Sequence, residues 1–447
     1  MGERLLIIGG GLAGCEAALQ AASRGLSVEL VEMKPAQYTP AHSSPLLGEL
    51  VCSNSLRSAE PTSAVGLLKV EMAMLGSIVM QAAAATRVGA GRALAVDRQA
   101  FAAFLDAAVS SHPLITRLSE RRDKLPAEGV TILATGPLTS EALSADLAAL
   151  TGSGHLHFYD AIAPIVTSES VDLDQAFWGD RYGDPGQGDY LNCPLSAQEY
   201  AAFYAALMAA EQVPLRPFES PRFFEGCLPI EVMAARGEKT LLFGPMKPVG
   251  LTDPATGQRP FAVVQLRKED AQGLLLNLVG FQTKLSYAAQ ERVLRLIPAL
   301  ARAEFARLGS IHRNTFIEAP RVLRPDLRLM AAPHIFVAGQ LSGVEGYVES
   351  AASGLLCGLS AANLLRDRAI VLPPATTALG GLLGHLRNAA AKDFQPSNVN
   401  FGLLEPLPGR VPKRQRGAAY ARRALTDLAA WMDAQQIPLA QAPPELA

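Results

Sequence analysis

Five cysteines are spread over a chain of 447 residues, and two of them stand where a thiol can do chemistry. Cys227 lies in FESPRFFEGCLPIEVM, behind an aromatic pair and between Gly226 and Leu228-Pro229. A thiol in that setting is a small core residue, half of a disulfide, a metal ligand or a nucleophile. Pro229 stiffens the chain behind it and Gly226 leaves room in front. Arg222, folded towards the sulfur, would favour the thiolate, which is the reactive form. Cys52 lies in VCSNSLRS, a polar run with Arg57 close by, and the same electrostatic argument makes it a second candidate. The other three read as packing residues. Cys15 sits in a small-residue helix start, Cys357 in ASGLLCGLSAANLL, and Cys193 before Pro194 and a helix cap at Ser196. The count is odd, the spacings are wide and there is no CxxC pair, so neither a disulfide framework nor a zinc site is implied.

A second constellation could bind phosphate. RLLIIGGGLAGCEAALQAASRGLSVELVEMKP reads as strand, glycine turn, small-residue helix and second strand. Gly9, Gly11 and Gly14 match G-x-G-x-x-G, with Gly10, Leu12 and Ala13 completing the loop. The first glycine permits the turn, the second admits a pyrophosphate to the backbone, and the third lets helix and strand pack closely. Glu32 ends the second strand, eighteen residues after Gly14, where a carboxylate accepts ribose hydroxyls.

These residues need a scaffold. The composition is ordinary for a globular protein, with 49% hydrophobic and 18% charged residues. A net charge of −2 argues against coating nucleic acid by bulk charge. A local basic run, PGRVPKRQRGAAYARRAL, nevertheless offers Arg410, Lys413, Arg414 and Arg416 as phosphate contacts; the bland alternative is a solvated helix face. The first residues lack the pattern of a signal peptide, and no apolar run approaches the ~18 residues of a membrane helix. The expectation is a soluble, cytoplasmic protein with no membrane contact. Strand signals at Val130–Ala134 and Ile335–Ala338 suggest that the nucleotide domain opens the chain and returns near its end. The predicted division is 1–188, an insertion over 189–329, and 330–447 with the basic region.

The segments GVTILATGPLTS and PHIFVAGQLSGVEGYVESAASGLLCGLSAANLL resemble two further hallmarks of glutathione-reductase-type flavoproteins. The resemblance implies an α/β fold: a Rossmann FAD-binding domain with an inserted α+β domain. Thr135 and Gly136 would stand beside the FAD, and Gly339 and the helix start after it would meet the ribityl and phosphate groups. The usual acid after that glycine is Gln340 here, a departure from the pattern.

LVCSNSLRS, LNCPLSAQEY, FFEGCLPIEVMAARGEKTLLFGPMKPVGL, IHRNTFIEAP, GQLSGVEGYVESAASGL and FQPSNVNFGL, in this order, resemble the signatures of one family. This is the folate- and FAD-dependent tRNA uracil-5 methyltransferases (the TrmFO family), smaller relatives of the GidA wobble-uridine enzymes. The resemblance implies 5-methyluridine formation at position 54 of the tRNA T-loop. Methylenetetrahydrofolate would give the carbon, reduced FAD would carry the methylene and donate hydride, and NAD(P)H would supply electrons. It implies Cys227 as the thiolate that adds to uracil C6, Cys52 as a second functional cysteine, and Tyr347 as a cover for the flavin. No obligate protein partner is implied. Three other readings remain open at this point. They are a GidA-like wobble-uridine modifier, an NAD(P)H-dependent flavin oxidoreductase acting on a small molecule, and an RNA-binding chaperone that keeps FAD for stability.

Overall fold

The computed structural model of the chain describes residues 4–154, 156–184, 186–214, 228–387 and 394–445. Cys227 and Arg222 lie outside them.

Strand β1 (Arg4–Ile8), helix α1 (Leu12–Ala22) and strand β2 (Ser27–Glu32) form the expected βαβ unit. β1 and β2 pair in parallel within a five-stranded sheet, with Ile115–Ser119 beyond β2 and Thr131–Leu133 then Ile335–Val337 beyond β1. All its pairings are parallel, so helices must cover both faces, which is why its strands are largely apolar. The strand at 335 forms one edge of the sheet and is followed by the helix Tyr347–Leu365. The FAD-type α/β fold expected from the sequence is therefore present, completed by a segment more than 300 residues from its start.

The composition of the Tyr347 helix follows from its packing. A Cβ at Gly354 would stand 2.2 Å from the Ala13 carbonyl oxygen, and one at Gly358 2.7 Å from that of Ala17. Glycines four apart on one helix thus meet alanines four apart on α1, and the two backbones approach as larger side chains would forbid. The Tyr347 helix is long and apolar enough to cross a membrane, but 78% of its most apolar stretch is buried inside the protein, as a core helix requires.

A second sheet of six strands is antiparallel, in the order Phe177–Trp178, Tyr190–Leu195, Ala262–Lys268, Leu275–Leu278, Ile165–Thr167, Phe305–Arg307. Its first strand in the chain begins at 165, so the boundary predicted at 189 falls inside this sheet. The strand pair Leu156–Ala161 and Ile311–Phe316 joins the two parts of the molecule. Strand Ala262–Lys268 has Ala262, Val264 and Leu266 in one hydrophobic core, so the two-residue period turns Gln265 and Arg267 to the other face. That face meets the Cys52 loop.

Candidate active site

At the C-terminal end of β1 the chain turns at Gly9, with φ +107°, and a Cβ there would stand 2.3 Å from the Ala134 carbonyl oxygen. A Cβ on Gly14 would be 1.8 Å from the Gly9 carbonyl oxygen. Both glycines are needed for packing. Gly11 differs: nothing lies within 4 Å of the place its Cβ would take. It caps α1 without a side-chain bond, so the first helical N–H groups face a groove. That open cradle at a helix N-terminus fits a dinucleotide pyrophosphate. Glu32 is buried at its edge, one carboxylate oxygen accepting from the Gly10 N–H at 2.6 Å and the other from the Lys34 N–H at 3.0 Å.

The groove brings together Gly9 to Ala13, Glu32, Thr135, Gly136, Gly339, Gln340 and Tyr347. Gly14 does not line it; it acts beneath, through its contact with Gly9. The Gln340 amide donates to Glu345, which is buried outside the groove lining, at 2.5 Å. Burial first, and then neighbouring Asp160, pushes the Glu345 carboxyl up to about 8, against the opposing effect of the Gln340 bond. At neutral pH this carboxyl keeps its proton.

Beside the groove, the loop carrying Cys52 is held on its polar atoms. The Tyr347 hydroxyl accepts from the Cys52 N–H at 2.7 Å and the Ser53 N–H at 3.3 Å. Arg307 donates to the carbonyls of Val51 at 3.1 Å and Cys52 at 3.4 Å. Arg267 donates to Asn54 Oδ1 at 3.0 Å and Ser53 Oγ at 2.9 Å. Arg98 donates to the Leu50 carbonyl and to Glu269, the latter at 2.7 Å. Three guanidinium groups therefore converge on residues 50–54, two of them from the second sheet, and the half-buried Cys52 sits among them. Burial pushes Arg307 and Arg267 down from the ordinary guanidinium value, and Arg98 adds to the effect on Arg307. Burial also pushes the Tyr347 phenol well up, so it stays protonated. Further along the loop, Arg57 adopts φ 64° and pairs with fully buried Glu349, in the first turn of the Tyr347 helix. Glu349 also accepts from the Val399 N–H at 2.9 Å, which ties the FQPSNVNFGL segment to the same place.

The three cysteines read as packing residues are fully buried. Burial pushes Cys193 up to about 12 and Cys15 and Cys357 higher still, so all three are inert thiols. Immediately beyond Cys227 the chain is anchored. Leu228 and Ile230 are buried, the Ile230 N–H donates to the Gln282 carbonyl at 2.7 Å, and Glu231 accepts from Thr283 at 3.0 Å and from the Lys284 N–H at 2.8 Å.

Arg410, Lys413, Arg414 and Arg416 are exposed and lie apart from the groove, around the start of the C-terminal helix Arg416–Ala434. Cations at a helix N-terminus oppose its dipole. Arg98, Arg267 and Arg307 were not legible as site residues, since single arginines in a sequence carry no motif. The one available signal was the alternation of Gln265 and Arg267 with apolar residues in FAVVQLRK, a strand with one polar face.

The family profile of glucose inhibited division protein A matches residues 4–369. A curated relative from Geotalea uraniireducens, named methylenetetrahydrofolate–tRNA-(uracil-5-)-methyltransferase TrmFO, is 58% identical over 96% of this chain and 99% of its own length. Relatives of the same name from Geobacter sulfurreducens and Syntrophus aciditrophicus are 57% and 53% identical, over 95% and 96% of this chain and 98% and 97% of their own lengths. Among solved structures, GidA from Aquifex aeolicus superposes with a TM-score of 0.71 at 15% identity, covering 97% of this chain and 73% of that one, a likeness of fold. Matched to such relatives over nearly its whole length, the glycine loop and the cysteine loop included, the chain belongs to the GidA family, in the branch of the TrmFO methylenetetrahydrofolate–tRNA-(uracil-5-)-methyltransferases.

Proposed function

We propose that this protein methylates C5 of a uridine in the T-loop of tRNA, at position 54, with methylenetetrahydrofolate as carbon donor and NAD(P)H as reductant. The observation that carries the reading is the Cys52 loop, braced by Tyr347 and three guanidinium groups at the edge of a dinucleotide groove. FAD bound in that groove supplies hydride and a carrier position for the one-carbon unit. The open cradle at Gly11 and the α1 N-terminus would hold its pyrophosphate, Glu32 its ribose, and Tyr347 would flank its ring.

Uracil C5 is a poor nucleophile until a thiolate adds at C6. Cys227 is assigned that addition. The stretch that follows it in the chain, Leu228 to Glu231, is anchored by buried side chains and hydrogen bonds to Thr283 and Lys284. Cys52 is assigned the proton at C5, or protection of the Cys227 thiol. The base must leave its stack to reach either sulfur. Arg410, Lys413, Arg414 and Arg416 would meet tRNA phosphates, and Arg222, five residues before Cys227 in the sequence, would meet the RNA as well. The anion would offset the unfavourable place of the basic run at a helix N-terminus. A nucleotide domain that opens the chain and returns near its end around an inserted part, and a cytoplasmic location with no membrane or obligate protein partner, belong to the same proposal. A wobble-uridine modifier is the less favoured alternative, because the full-length relatives carry the methyltransferase name.

The test is nucleoside mass spectrometry of unmodified tRNA incubated with the protein, NADPH and methylenetetrahydrofolate labelled in its methylene carbon. Labelled 5-methyluridine from the wild type and none from Cys227→Ala supports the reading. NADPH consumption with no label in tRNA sinks it and leaves the small-molecule oxidoreductase. Label from both proteins keeps the reaction and removes Cys227 from it.

A further inference from the structure

A second cavity, of about 520 Å³, lies at the other end of the pair made by α1 and the Tyr347 helix. Ser350 of that helix lines the nucleotide groove and Asn363 lines the second cavity. Along that helix the two linings come nearest at Ser350 and Leu356, six residues or about 9 Å apart, while Arg366 stands sixteen residues from Ser350, about 24 Å. Trp431 from the C-terminal helix and Ile437 from the segment after it form an apolar wall.

The charge of this cavity is one-sided. Arg24, Arg366, Arg368 and His112 line it, and no aspartate or glutamate does among the described residues, in a chain whose net charge is −2. Arg24 makes no ion pair among the described residues. Its Nη1 donates to the Gln20 backbone carbonyl and to Gln20 Oε1, both at 2.8 Å, and these acceptors are neutral. Gln20 passes a bond on to Glu16, but burial favours the protonated form of that acid. The Arg366 guanidinium donates to the Arg24 carbonyl. Burial first, and then the Arg366 charge, push Arg24 down from the ordinary guanidinium value. His112 accepts from the Leu114 N–H on Nδ1 at 3.3 Å, so its Nε2 carries the proton. Capping of carbonyls after α1 accounts for bonds on two of the arginines. The lining as a whole carries three guanidinium groups and a histidine, with no carboxylate among the described residues.

We propose that this cavity binds a phosphorylated organic anion of mononucleotide size, with its phosphate on Arg24, Arg366 and Arg368 and its base or apolar body against Trp431 and Ile437. The volume lies within the roughly 300–1,000 Å³ of small-molecule sites. A ligand with its phosphate on these arginines sits in a cavity separate from the groove and exchanges neither hydride nor carbon with it. It acts instead as a regulator or stabiliser, through helices whose backbones touch at Gly354 and Gly358.

The experiment uses the FAD-loaded protein, so that the groove is filled, and adenosine monophosphate as probe. The chain has two tryptophans, and Trp178→Phe leaves Trp431 as the reporter. Saturable quenching of Trp431 by adenosine monophosphate but not by adenosine, weakened about tenfold or more in Arg24→Gln and partly restored in Arg24→Lys, is the expected result. Arg368→Gln, at an exposed position, serves if Arg24→Gln does not fold. No saturable signal at concentrations up to about 1 mM, or equal binding by wild type and arginine variants, overturns the proposal. Neither readout depends on methyl transfer.

Discussion

The hydroxyl of Tyr347 accepts the backbone N–H of Cys52 at 2.7 Å, joining residues 295 positions apart in the chain. Tyr347 also lines the nucleotide groove, so one phenol connects the groove to the cysteine loop. Replacing it with Phe leaves the Cys52 and Ser53 amides without that acceptor, at a cost of about 1–3 kcal/mol for a buried donor. This loop is half-buried, so the lower end applies. The expected outcome for Tyr347→Phe is a protein that keeps its FAD, exchanges the amide hydrogens of residues 52 and 53 faster, and methylates tRNA more slowly. Unchanged exchange at both amides would show that the arginines alone hold the loop.

Two glycines of the loop separate binding from folding. Gly11→Ala adds a methyl where nothing lies within 4 Å, at φ −75°, which alanine adopts freely. Its melting temperature should match the wild type while FAD retention falls. Gly14→Ala places a methyl 1.8 Å from a backbone oxygen and should destabilise the apoprotein itself. Thermal melts with and without added FAD distinguish the two. Equal FAD retention in wild type and Gly11→Ala would remove the pyrophosphate from that position.

Glu345 gives a dependence on pH. Its folded carboxyl holds a proton up to about 8, whereas in the unfolded chain it ionises in the ordinary carboxylate range. Between those values the native state binds more protons. The stability it contributes is therefore fully present at low pH and is lost as pH rises towards 8. Glu345→Gln, which cannot ionise, should flatten the fall in melting temperature between about pH 5.5 and 8.5 that the wild type shows. Identical slopes would mean that the carboxyl is already ionised in the folded protein.

The basic run predicts a salt effect. Replacing Lys413, Arg414 and Arg416 with Gln should weaken tRNA binding. The slope of log affinity against log salt should become shallower by about 0.7 to 0.9 for each phosphate that is no longer neutralised. Flavin reduction by NADPH should not change, because these residues lie apart from the groove. An unaltered slope would return the run to a solvated helix face.

The βαβ unit, the glycine loop and Glu32 were legible in the sequence because the interactions that make them are local. A turn, a helix start and a strand end are specified within about thirty residues, and glycine has few physical reasons to recur at that spacing. Cys15 and Cys357 were legible as core residues for a similar reason, as small apolar residues within small-residue helical stretches, whereas the strand that buries Cys193 came only with the structure. The burial of Gly354 and Gly358 against Ala13 and Ala17 could be suspected from small-residue content, but the partner helix could not be named.

What only the tertiary structure decided is the company of Cys52. Its loop is irregular, so its backbone donors and acceptors must be met by side chains from elsewhere. Arg98, Arg267, Arg307 and Tyr347 meet them from positions 46 to 295 residues away. No local pattern encodes such a meeting, because each arginine alone reads as a solvated cation. The start of the second sheet at 165, ahead of the predicted boundary, has the same origin: its early strands are two or three residues long and gain their pairing only from partners far along the chain. Sequence alone thus determined the chemistry available to this protein. The fold decided which residues hold that chemistry in place, since long-range hydrogen bonds and charge contacts exist only after the chain has closed.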